Sequence, residues 1–184
     1  MTPTETLHEL LRTAPVRLER ALAFFDELPM ADLAFMRGRW VGGGLPTGHP
    51  MDGLLEATGW YGKSFIDAEH VHPLLFRDAG GTVFSVRPLT LSMRLAQALP
   101  LARFGWGLVP LAKLNNRLLR TTVSQARLRL MSYRDKTSAT MIYDHLPIHD
   151  VFRHVDDDTV LGLMDYKQMA YPFFFVLRRE TPHG

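Results

Sequence analysis

"ARLRLMSYRDKTSATMIYD" runs from Ala126 to Asp144. On each side of Arg134-Asp135-Lys136, apolar and polar residues alternate at period two. That is the pattern of two half-buried strands joined by a polar turn, so the stretch reads as a β-hairpin. The pattern then repeats. "DVFRHV" (Asp150–Val155), the turn "DDDT" (Asp156–Thr159) and "VLGLMD" (Val160–Asp165) make a second hairpin, and "YPFFFVLRR" (Tyr171–Arg179) adds a last strand. Upstream, "RWVG", "WYGKSF" (Trp60–Phe65) and "TVFSVR" (Thr82–Arg87) show the same texture. Sequential antiparallel strands form a meander, and about eight of them close into a barrel, which removes the exposed edges of an open sheet. The expected fold is therefore mainly β within an α+β class: an antiparallel, lipocalin-like barrel.

The rest of the chain fits one domain over 1–184. Residues 1–30 read as two helices. Thr4 caps the first, with Glu5 in its first turn and Leu7, Leu10 and Leu11 on one face. Pro15 lies in the first turn of the second, Leu18, Leu22 and Phe25 form its stripe, and Pro29 ends it. Residues 37–88 carry the first strands and 123–180 the meander. Residues 89–122, broken by Gly and Pro, are expected to form a partly helical flap over one mouth. Hydrophobic residues make up 46% and charged residues 22%, the composition of a soluble globular protein. There is no cysteine, which excludes disulfides, thiol nucleophiles and zinc-thiolate sites. The N-terminus is acidic and amphipathic, unlike a signal peptide, so the cytoplasm is the expected compartment.

The net charge of +2 is unevenly spread. Ala79 to Arg134 holds no acid and nine of the 21 Lys and Arg residues. This cationic window makes contact of the 89–122 flap with an anionic membrane surface an expectation. The small net charge argues against a nucleic-acid partner. No dinucleotide fingerprint, phosphate loop or nucleophile elbow is present. His145 and His149, and His70 and His72, have no well-spaced third ligand, so no metal is expected. A homodimer is compatible with the sequence.

"RGRWVGGGLPTGHPMDG" (Arg37–Gly53) surrounds one tryptophan with glycines. Gly38, Trp40 and Gly42 share one strand face, where glycines let backbone approach the ring and let the strand bend at a barrel corner. Trp40 is expected to close one end of the barrel under Arg178 or Arg179, as a cation–π contact, and to border the ligand. His49 and Asp52 follow. With Pro50 opening a short helix, a neutral His49 beside Asp52 could serve as a general base, or either residue could cap that helix. Tyr61, Lys63 and Phe65 alternate along one strand. If they face inward, the Lys63 ammonium needs a carboxylate such as Asp144 or Asp165, or an anionic ligand, because an unpaired charge is costly in an apolar cavity. Arg153 either pairs with Asp150 or, like Lys63, clamps a ligand head group. Asp144 with Lys63 is a second acid–base candidate.

The run "FDELPMADLAFMRGRWVGGGLPTGHPMDGLLEATGWYGKSF" resembles the family named for its GXWXG motif. "MIYDHLPIHDVFRHVDDDTVLGLMDYKQMAYPFFFVLRR" resembles the domain of unknown function that commonly follows it. Matches run through His49-Pro50, Trp60-Tyr61-Gly62-Lys63, Tyr143-Asp144, Pro147-Ile148-x-Asp150-x-Phe152-Arg153 and Asp165-x-Lys167. The resemblance marks Trp60, Tyr143 and Lys167 as ligand-site candidates alongside Trp40, Tyr61, Lys63, Phe65 and Arg153. It transfers no activity. The Gly-x-Trp-x-Gly element is also similar to that of nitrobindin and the fatty-acid-binding barrels. After Gly44, "LPTGHPMD" departs from the nitrobindin continuation, so haem, and with it any cofactor, is not expected.

These readings converge on an apolar barrel cavity that binds a lipophilic small molecule with an acidic or carbonyl head. The alternative is a cofactor-independent isomerase, cyclase or hydratase using His49, Asp52, Asp144 and Lys63 as acid–base residues.

Overall fold

Arg134 and Asp135 both have positive φ, 49° and 59°, the signature of a type I′ turn. Lys136 pairs with Tyr133, so the loop is two residues rather than three. The strands it joins are β5 (Ala126–Tyr133) and β6 (Lys136–Tyr143). The turn is pinned to the helical layer, because Arg134 makes a two-pronged ion pair with Asp26 at 2.6 and 2.7 Å. The computed structural model describes residues 1–88, 110 and 113–181. Most of the segment expected to form a flap lies outside the described residues; of the rest, 113–118 are helical.

The remaining strands are β1 (Gly38–Gly44), β2 (Trp60–Phe65), β3 (Val71–Arg77), β4 (Val83–Ser85), β7 (Ile148–Asp156), β8 (Thr159–Tyr166) and β9 (Phe173–Arg179). The sheet order is β2-β1-β9-β8-β7-β6-β5-β3-β4, and a further β2–β3 pairing joins the ends. All pairings are antiparallel, so eight strands form a ring and β4 hangs from β3. The seam between β3 and β5 is thin, held in register by the single pair Val71–Ala126.

Two corrections concern the N-terminal helices. In α1 (Pro3–Thr13) the cap is Thr2, not Thr4; Thr2 and Glu5 form a reciprocal capping box with Pro3 in the first turn. Thr4 instead donates to Asp156 at 2.9 Å, tying α1 to β7. Helix α2 (Leu18–Glu27) begins after Arg17, so Pro15 precedes it, and its buried residues are Ala21, Phe24 and Phe25. The expected helix from Pro50 is a turn through residues 50–53 followed by the four-residue α3 (Leu54–Ala57).

There are two hydrophobic layers. Trp40, Phe65, Met141, Phe152 and Phe175 belong to the layer inside the barrel. Outside it, Leu7, Leu10, Phe24 and Phe25 of α1 and α2 cover Val151, Leu163, Phe174 and Val176. β8 and β9 are thus buried on both faces, which is why "FFFVL" is a continuous apolar run. Each fully buried Phe contributes about 1.5–3 kcal/mol of transfer free energy.

Candidate functional site

The inner and outer sides of β2 are set by one glycine. The β2–β3 register slips on both sides of Gly62. A Cβ there would lie 1.9 Å from the Trp40 carbonyl oxygen, at φ 150°, so only glycine fits. This bulge breaks the period of two. Trp60 and Lys63 both line an inner cavity, whereas Tyr61 lines an outer cleft. The expectation that Tyr61, Lys63 and Phe65 share a face is therefore corrected. Phe65 does point inward, edge-on to Phe152 at 5.6 Å. Tyr61 donates to Glu180, and the Arg77 guanidinium lies 4.3 Å from its ring.

Lys63 is 3% exposed, and its partner is Asp150, which is 1% exposed; Nζ and Oδ2 are 2.8 Å apart. Neither Asp144 nor Asp165 plays that part. Lys63 also donates to the Pro73 carbonyl at 3.1 Å. Its ammonium lies 5.0 Å from the Phe175 ring and 5.8 Å from those of Trp60 and Tyr143. Among the described residues, Asp150 Oδ1 and Trp60 Nε1 have no hydrogen-bond partner. Burial pushes the Asp150 carboxyl up from the ordinary range, and Lys63 pulls it part of the way back. Burial and then the nearby Asp150 charge push the Tyr143 phenol well above its usual value.

The cavity these groups share has a volume of about 60 Å³. That is room for a few water molecules, not the large apolar chamber the sequence suggests. Aromatic side chains fill most of the barrel. Met51, Leu55, Leu74 and Leu146 form apolar walls, and Pro88 borders the same space.

Other candidates are placed elsewhere. Asp52 Oδ2 accepts from the backbone N–H groups of Thr47, Gly48 and His49 at 2.8–3.0 Å, holding a turn. His49 Nδ1 accepts from the Met51 N–H at 3.1 Å. The residue is not among those that line the cavity. Burial lowers its pKa, with Asp52 opposing. Asp144 is exposed and pairs with Arg127 at 3.4 Å. Arg153 is buried on the other side of the sheet. It donates to the Tyr133 carbonyl at 2.9 Å, with Phe25 of α2 4.7 Å from its guanidinium. The sheet separates it from the cavity, so it cannot clamp a head group there. Lys167 is exposed and follows β8.

Trp40 closes the opposite end. Its Nε1 donates to the Met36 carbonyl at 2.8 Å, and the Arg179 guanidinium lies 4.3 Å from its ring. Arg179 is fixed by the carbonyls of Arg37 and Phe35 and by Asp158. A Cβ at Gly42 would come within 2.3 Å of the Trp60 ring, so the glycine cluster seats both tryptophans.

Asp150 is the residue sequence reasoning placed wrongly, beside Arg153. The signal was present. Ile148, Asp150 and Phe152 share one face of β7 at period two, which sets an acid between two core residues.

The fold and site define a class: a closed eight-stranded antiparallel barrel with one end sealed by tryptophan and a buried ion pair toward a small cavity. The GXWXG protein family matches residues 23–81, and the domain of unknown function DUF4334 matches residues 124–179. The chain is also similar to a protein from Thermomonospora curvata known from its crystal structure. The two are 31% identical, with a TM-score of 0.73, over 98% of this chain and 100% of that one. The chain belongs to the GXWXG family, with the DUF4334 domain as its C-terminal part. No curated protein matches it. Among the described residues, no helix is long and apolar enough to cross a membrane.

Proposed function

We propose that the barrel binds a lipophilic small molecule whose carbonyl or hydroxyl head rests on Lys63, Asp150 and Tyr143. The observation that carries this reading is the buried Lys63–Asp150 pair in the wall of a cavity: the ammonium has a third donor for a carbonyl or hydroxyl oxygen, and the Oδ1 left without a partner among the described residues could also meet a hydroxyl. Buried polar atoms are nearly always hydrogen-bonded, and those that are not call for an explanation such as a missing ligand. An acidic head fits poorly. Asp150 already neutralises Lys63, and a second carboxylate would meet the free Oδ1. A neutral oxygen could instead take a donor from the ammonium or the phenol. The space of about 60 Å³ takes only the head group as it stands, so the apolar part would enter between Met51, Leu55, Leu74 and Leu146 by displacing them, the flexible Met51 first.

Isothermal titration with a homologous series of methyl ketones tests this. Saturable binding is expected in the native protein. In the paired replacement Lys63→Met with Asp150→Leu, which removes both charges together and spares the fold, affinity should drop at least tenfold. Flat titrations across the series would reject the reading.

A further inference from the structure

We infer that the Lys63–Asp150 pair catalyses proton transfer beside a ketone carbonyl, isomerising β,γ-unsaturated ketones to their conjugated isomers. This rests on the ketone-binding reading above. An ammonium has three donors. Two of Lys63's are taken, by Asp150 Oδ2 and by the Pro73 carbonyl. The third is free to meet an oxygen inside the ring of Phe175, Trp60 and Tyr143. Asp150 uses one oxygen on Lys63 and keeps the other without a partner among the described residues. One buried pair, a base and a hydrogen-bond donor, thus stands in the wall of the same small cavity.

Enolisation needs both at once: a base at the α-proton and a donor where charge develops on the carbonyl oxygen. In the step proposed, Asp150 Oδ1 takes the α-proton. The C–H electron pair forms a double bond to the carbonyl carbon, and the carbonyl π pair moves to oxygen. The dienolate oxygen is held by Lys63, with the Tyr143 phenol as a second donor. Asp150, now a carboxylic acid, returns its proton to the γ-carbon. The electrons shift back through the chain to restore the carbonyl and leave the double bond conjugated. No oxidant, reductant or co-reactant is consumed. The apolar walls exclude bulk water, which keeps the donor and base strong.

The carboxyl's upward displacement by burial supports the role, since a stronger base is poised closer to neutral pH. Lys63 moderates that displacement and faces Asp150 from β2. His149 acts on it weakly from the same strand.

The test uses a β,γ-cyclohexenone in deuterated water, with product formation and deuterium at the α- and γ-carbons read by NMR and binding read by calorimetry. The native protein should convert the probe to its conjugated isomer above the buffer rate, with deuterium at the γ-carbon to the extent that the Asp150 proton exchanges with solvent before it is returned. Asp150→Asn keeps the shape and a hydrogen-bond acceptor for Lys63 but not its counter-ion; with folding checked by its urea midpoint, it should bind the probe yet lose about 100-fold or more in rate, the usual share of a general base. Tyr143→Phe should lose about tenfold. The native rate should fall on the acid side as Asp150 takes up a proton. Binding without conversion to the conjugated isomer and without deuterium incorporation overturns the catalytic inference and leaves the binding reading standing. Exchange that survives Asp150→Asn removes Asp150 from the role. A probe that neither binds nor exchanges overturns both.

Discussion

The two ends of the barrel are built around two tryptophans, and they differ in what is left over. At the Trp40 end the tryptophan and the cation over it are both satisfied. The indole N–H meets the Met36 carbonyl, and the overlying Arg179 is held by two carbonyls and Asp158. At the Trp60 end the indole N–H and one oxygen of Asp150 meet no partner among the described residues, although both lie in the core. A satisfied network fixes a structure; a network with buried, unused capacity has another task or carries a cost. The contrast fits closure at the Trp40 end and, on the reading proposed above, binding at the Trp60 end.

Breaking the closed end should have the largest effect. Trp40→Ala removes a fully buried ring, orphans the Met36 carbonyl and leaves Arg179 without its platform. A loss of about 4–5 kcal/mol is expected in urea unfolding. Removing only one partner of the buried pair comes next. Lys63→Ala should cost about 3–5 kcal/mol, because Asp150 is then a buried charge with no counter-ion. Adding Asp150→Leu to Lys63→Met should recover most of that loss, and unfolding curves of single and double variants measure the difference. If the singles and the double are equally unstable, the pair is not coupled as described.

Trp60→Phe should cost less, about 1 kcal/mol, because the indole N–H makes no protein bond and the ring borders a cavity. The same substitution at Trp40 forfeits a buried hydrogen bond, so the two Phe variants sharpen the comparison directly. The smallest effect concerns pH. Burial holds His49 and His72 below the ordinary histidine value of 6.5. Near that pH the unfolded chain takes up protons that the folded protein refuses. Stability is therefore intact above about 6.5 and falls as the pH drops below it. His49→Gln should flatten that decline when urea midpoints are measured on both sides of 6.5. It should leave ketone binding unchanged, since His49 lies outside the cavity lining.

The strands of the meander were legible because their turns announce themselves. Arg134-Asp135 and the acidic run at Asp156–Asp158 interrupt clear period-two texture. β3 was harder, since "VHPLLFR" carries a proline and little alternation. The site was legible only in part. Trp40 under an arginine of the last strand follows from residue type and spacing, whereas alternation alone leaves open which way Lys63 points. The bulge at Gly62 follows from neither. It separates Tyr61 from Lys63, and it arises from the close approach of the Trp40 carbonyl on the neighbouring strand, a contact no local pattern reveals. Arg153 and Asp150 look like a local pair in sequence. On β7 they are an odd number of residues apart, so the sheet sends one to each face.

The most direct test of the division of labour is the indole N–H resonances of Trp40 and Trp60 during titration with a methyl ketone. The account predicts that the Trp60 signal moves progressively to saturation while the Trp40 signal stays within its linewidth. A stationary Trp60, or equal movement of both, would contradict it.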